Sequence, residues 1–171
     1  MVEEIPRILK THFPPENGGN ADLKYGHLVV VRVSFGNGSA IQGKENSLEP
    51  ESLFALRILW SYMFGSLNDS RFSSALQCFS ELKLNVVLEF IQQCERRILN
   101  VEEIPVIVYI FVDEYQCLRR IPAKDNKTVL LHVAQLLAGR SCAGTPTILV
   151  AWAGVGSTPL SEVTRLSTEK P

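Results

Sequence analysis

The sequence predicts an α/β fold, a three-layer sandwich around a mainly parallel sheet. Two observations carry this. The strand-like segments HLVVVRVSF, VIVYIFV and ILVAWAG are apolar almost throughout instead of alternating, which is the pattern of strands covered on both faces. They are also separated by segments with helical periodicity, the order expected of crossover connections. At 171 residues and 46% hydrophobic, the chain has the size and composition for one core and one domain.

Each element has its own signal. Residues 3–11 suit the end of a helix, and 12–26, with Pro, Gly and Asn, form a polar loop. The first strand begins at His27, and residues 36–50 form a second loop. ESLFALRILWSYMF follows with Leu53, Leu56, Trp60 and Phe64 at helical spacing and Pro50 in the first turn. SRFSSALQCFSEL is a short helix. NVVLEFIQQCERRIL is a clearer one: Val87, Phe90, Ile91, Cys94 and Ile98 share a face, and Glu89, Gln92, Glu95 and Arg96 face water. After the second strand, NKTVLLHVAQLLAG turns Val129, Val133, Leu136 and Leu137 inward and ends at Gly139. The third strand leads into a tail, LSEVTRLSTEKP, that suits the start of another helix.

Composition narrows the function. Seventeen Lys and Arg against eighteen Asp and Glu give a net charge of -1, so no whole-chain field attracts nucleic acid or anionic lipid. Cys78, Cys94, Cys117 and Cys142 are scattered without zinc spacing and read as buried apolar residues in a reducing compartment. His12, His27 and His132 are as dispersed, and read as structural or solvated. MVEEIPRILK lacks the basic start of a secretory signal, and no apolar run reaches the length of a membrane span.

Two stretches carry candidate chemistry. Gly38, Gly43 and Lys44 reproduce the phosphate-loop spacing G-x-x-x-x-G-K, but Glu45 stands where the Mg²⁺-ligating Ser or Thr belongs, and Pro50 would fall inside the following helix. This stretch is therefore expected to be a connecting loop. Asp113 and Glu114 close the second apolar run, so both carboxylates emerge at the carboxyl edge of a buried strand, where ligands of open α/β sheets bind. In a nucleoside triphosphatase such a pair divides the labour. Asp113 would hold Mg²⁺ and Glu114 would act as general base on water, with Gln116 orienting a water or a sensor. Ser157 or Thr158, beyond the third strand, would sense the γ-phosphate. The plainer alternatives are a strand ending in a charged turn and, at 157–158, an ordinary turn. A helicase also suits DEYQ, but no other helicase motif accompanies it.

In order, VRVSFGNGS, SLFALRILWSYMF, IFVDEYQ and TPTILVAWAG resemble the ATPase module shared by Crinkler effectors of oomycetes and fungi and retrotransposon hot spot proteins of trypanosomes, over about residues 25–158. The resemblance implies a P-loop NTPase-like fold in which the strand ending in SFGNGS is the second strand. The phosphate loop would then lie upstream of Met1, EEIPRILK would be the remnant of its helix, and the domain would be incomplete at its N-terminus. It further implies ATP and Mg²⁺ as ligands, host proteins as partners, and export to a host cell or its nucleus. Nothing in this segment signals direct nucleic-acid or membrane binding. Arg57 matches a recurring arginine of the family's helix and would bridge to a phosphate or an acidic neighbour, or else carry its head to solvent. The two functions expected are an ATPase domain, weak or inactive as this chain alone, and a non-catalytic protein-interaction module on the same fold.

Overall fold

The computed structural model describes residues 26–36, 43, 45–65, 70–100, 105–120, 129–141 and 148–153. Three strands, β1 (His27–Ser34), β2 (Val106–Asp113) and β3 (Ile148–Ala153), form a parallel sheet in the order β1-β2-β3. The register sets His27 opposite Val106 and Ser34 opposite Asp113, while Val108 faces Ile148 and Asp113 faces Ala153. Ser34, Asp113 and Ala153 thus form one row across the carboxyl edge.

Between β1 and β2 lie α1 (Pro50–Phe64), α2 (Ser70–Cys78) and α3 (Leu84–Leu99); α4 (Val129–Ser141) lies between β2 and β3. Val29, Val31 and Val33, Val108, Ile110 and Val112, and Ile148 share one sheet face, and they form a single core with residues of α1, α3 and α4. Strand order explains this common side. Each connection steps to the next strand in the same direction, and right-handed crossovers then fall on one face. The described residues supply one helix layer of the expected sandwich.

The other face carries Tyr109 and Phe111. Both are buried, although neither belongs to that core. Burial raises the pKa of the Tyr109 hydroxyl.

α1 lies at the centre of the helix layer. Leu53, Phe54, Ala55 and Ile58 face the sheet core, while Leu56 and Trp60 pack with Phe72, Ala75 and Leu76 of α2. A helix buried this far round has no broad polar face. It ends at Gly65, whose φ of 71° closes the helix in a left-handed cap with its N–H donated to Ser61 O.

α3 corrects the expected apolar face. Val87 and Ile91 are buried with Leu84 and Leu88, but Phe90 is 41% and Ile98 73% exposed. Glu95, expected to face water, instead accepts hydrogen bonds from the Tyr62 hydroxyl (2.8 Å) and from His27 Nε2 (2.9 Å). These ties rotate the helix so that its polar positions meet the amino end of β1. Burial first, and then the bond to Glu95, push the Tyr62 hydroxyl well above its usual pKa. Gln92 Nε2 also donates to Val106 O.

Smaller differences follow elsewhere. Phe64 is exposed, α4 continues past Gly139 to Ser141, and Cys78 is exposed rather than buried. Among the described residues the cysteines are free, and no helix is long and apolar enough to cross a membrane.

The packing of α3 predicts opposite outcomes for two isoleucines. Ile91→Ala should cost about 2–5 kcal/mol in urea unfolding, and Ile98→Ala no more than about 0.5 kcal/mol. Equal losses would mean that α3 packs with the face the sequence suggested.

Candidate functional site

The site is built from three consecutive decisions of the backbone at the carboxyl edge. β1 ends at Ser34, and Phe35 continues the ladder for one more bond, its N–H donating to Asp113 O at 3.2 Å. Gly36 then passes so close to Glu114 that a Cβ on this glycine would overlap the Glu114 carboxyl group. A side chain at this position would make the Glu114 carboxylate shift from where it lies.

On β2, Asp113 is the last strand residue and Glu114 turns the chain with φ 56°. Left-handed backbone is unfavourable for a residue with a Cβ, at about 1–2 kcal/mol. It is tolerated here where the chain leaves the strand for a 3₁₀ turn over Tyr115–Arg120, opened by the bond from Cys117 N to Glu114 O at 3.0 Å. This turn aims the Glu114 carboxylate back at β1. Ser34 Oγ lies 3.2 Å from Glu114 Oε2 and 3.3 Å from Gly36 O, and it has one proton to give. The carboxylate is the stronger acceptor, and the Gly36 N–H in turn approaches Ser34 Oγ at 3.4 Å.

Asp113 points elsewhere. Its Oδ2 accepts from Arg32 Nη2 at 2.6 Å, and its side chain is 19% exposed. The structure therefore brings Asp113 and Glu114 to one edge in separate settings, one paired with a cation and one with a hydroxyl. Gln116, the expected water-orienting residue, has a buried Oε1 without a hydrogen-bond partner. Ser157 and Thr158 lie outside the described residues, as do Gly38 and Lys44. β3, which leads toward Ser157 and Thr158, is the neighbour of the acid-bearing strand.

Arg57 is 1% exposed, so it does not carry its head to solvent as one reading of its helix position had it. Its acidic neighbour is Glu45: Nε donates to Oε1 at 2.7 Å and Nη2 to Oε2 at 2.9 Å, a two-point clamp. Nη1 donates to Ser34 O at 2.7 Å, and the guanidinium carbon lies 4.7 Å from the centroid of the Phe35 ring. Behind that ring Phe54 is stacked at 6.3 Å. Arg57 thus stands behind the site and fixes the strand end from which Ser34 projects.

The same clamp shows what the G-x-x-x-x-G-K stretch does at its far end. Glu45–Ser47 is a 3₁₀ turn and α1 begins only at Pro50, so no α-helix opens directly after Lys44. A phosphate loop needs the N–H groups of a helix starting there. Glu45 is a structural acid with its carboxylate turned to Arg57.

Ser34, Gly36, Arg32 and Glu45 were not singled out as site residues from sequence. One signal was available, since an arginine inside FALRILW requires an acid partner. The approach of Gly36 to Glu114 depends on parallel register and left no local mark.

Two outcomes follow. Arg57→Met should cost about 3–5 kcal/mol by stranding the Glu45 carboxylate, and Arg57→Met with Glu45→Met should recover much of that loss in the same denaturation series. Glu114→Gly relieves the left-handed strain and should leave stability unchanged or raised by up to about 1 kcal/mol. A loss larger than that would show that the Ser34 contact outweighs the strain.

No protein-family model, curated protein or solved structure matches this chain.

Proposed function

We propose that the carboxyl edge of this sheet is the acid-bearing half of an ATP-binding and ATP-hydrolysing site, in a domain of the Crinkler and retrotransposon hot spot type. The observation that carries the reading is the pair Asp113 and Glu114 on the central strand of a parallel sheet, with Glu114 held in a left-handed conformation over Gly36. Backbone strain of this kind collects at functional sites. The reading takes β1, β2 and β3, which neighbour one another in that order, as the second strand, the acidic strand and the sensor strand.

The donor set fits Mg²⁺. Among the described residues no three His, Cys, Asp or Glu side chains form a metal cluster. Mg²⁺ does not require one, because it keeps several waters and takes one or two carboxylates together with phosphate oxygens. Asp113 would hold the ion through water, and the ion would supply charge neutralisation to bound phosphates. Glu114 accepts the proton of the attacking water. Its link to Ser34 Oγ aims the carboxylate, and Gln116, whose Oε1 is buried without a hydrogen-bond partner, would have to turn that oxygen outward to orient the water. Ser157 or Thr158 would complete the site as γ-phosphate sensor. Arg57 contributes from behind, because its charge is already met by Glu45.

A second reading is a non-catalytic module that binds a protein partner, with host proteins as the class the resemblance implies. It is favoured by the Glu45–Arg57 clamp, which leaves residues 38–44 without the helix a phosphate loop requires.

Calorimetry with Mg·ATP separates the two. The chain should bind in the millimolar range, Asp113→Ala should abolish binding, and Lys44→Ala should leave it unchanged. Loss of binding in Lys44→Ala would return the phosphates to the loop at 38–44. No binding by the folded parent chain would favour the interaction module.

A further inference from the structure

Arg32 interrupts an otherwise apolar strand, and its position explains why. In the parallel register it stands opposite Phe111, two residues before Asp113 on the same sheet face. Its guanidinium carbon lies 5.9 Å from the Phe111 ring centroid, and Nη2 reaches Asp113 Oδ2 at 2.6 Å. The arginine side chain is 62% exposed. An ion pair so open to solvent contributes little to stability. Its effect on Asp113 is direct, because the oxygen that receives the guanidinium is one that a hydrated divalent cation would address through its water ligands.

We infer that Arg32 is a resident counter-cation at the Asp113 carboxylate, one that a divalent metal ion must displace in order to load. The inference rests on the reading of Asp113 as the metal carboxylate. Arg32 is a positioning residue in this account. It fixes the carboxylate while the site is empty and raises the metal concentration needed to fill it. The arginine can swing out on displacement, since its side chain is already largely in solvent.

Mn²⁺, which shares the oxygen preference of Mg²⁺, is the probe, with free ion counted by electron paramagnetic resonance against the full chain. Arg32→Gln is expected to bind Mn²⁺ about two- to fivefold more tightly than the parent, the range given by an exposed ion pair. Arg32→Lys, which keeps a cation in place, should restore an affinity close to the parent value. Asp113→Asn should abolish binding in the parent and in the Arg32→Gln background. If Asp113-dependent binding is present but Arg32→Gln binds no more tightly than the parent, the counter-cation role is wrong and the metal site stands. If Mn²⁺ binding does not depend on Asp113 in any background, the metal-site reading falls, and the inference with it.

Discussion

The buried pair of Arg57 and Glu45 is the constraint on which the carboxyl edge depends. Three parts of the chain meet there: the turn before α1, the middle of α1 and the last residue of β1, whose carbonyl takes the third guanidinium bond. Removing two charges from water is expensive, and a buried pair seldom repays that cost with a large net gain. Its value lies in geometry. A planar guanidinium accepts few arrangements of partners, so the strand end, the aromatic ring beneath it and the loop acid are placed relative to one another. The edge inherits its shape from that arrangement, since Ser34 and Gly36 directly follow the anchored segment.

On that anchored edge, the two neighbouring acids are set apart by backbone geometry. A regular strand would send residues 113 and 114 to opposite faces. The left-handed turn at Glu114 breaks the alternation and folds its carboxylate toward β1, over Gly36, which has no Cβ. Asp113 keeps the strand geometry and stays near solvent beside Arg32. Two adjacent carboxylates held in different environments in this way can carry different charges and partners.

Much of the architecture was legible in the sequence. Three apolar runs without alternation marked the strands, and the acids at the end of VIVYIFV marked the edge where they lie. Helix existence was also legible, because α1 buries Leu53, Leu56 and Trp60 and α4 buries Val129, Val133 and Leu137, although Phe64 is exposed and Leu136 half-buried at the edges of those stripes. The rotation of α3 was not. Phe90 and Ile98 fit its apolar stripe as well as Ile91 does, and the deciding bonds come from His27 and Tyr62, which are remote in sequence from Glu95. The site was half legible for the same reason. Asp113 and Glu114 announce themselves as a local motif, whereas Ser34, Gly36 and Arg32 join them only through strand register. In sequence Glu45 stands out only for the hydroxyl it lacks, because its bond to Arg57 twelve residues on exists only in three dimensions. Ser157 and Thr158 fall outside the described residues.

The two tryptophans occupy contrasting settings. Trp60 sits in the apolar cluster between α1 and α2, with Phe64 and Phe72 around its ring, away from the carboxyl edge. Trp152 is on β3, edge-on to Tyr115 at 6.1 Å, and Tyr115 directly follows Glu114. One indole is therefore an internal standard and the other is an optical reporter of the edge. Emission from this chain carries a signal from the neighbourhood of the acids without any label, and replacing Trp60 with Phe would isolate it.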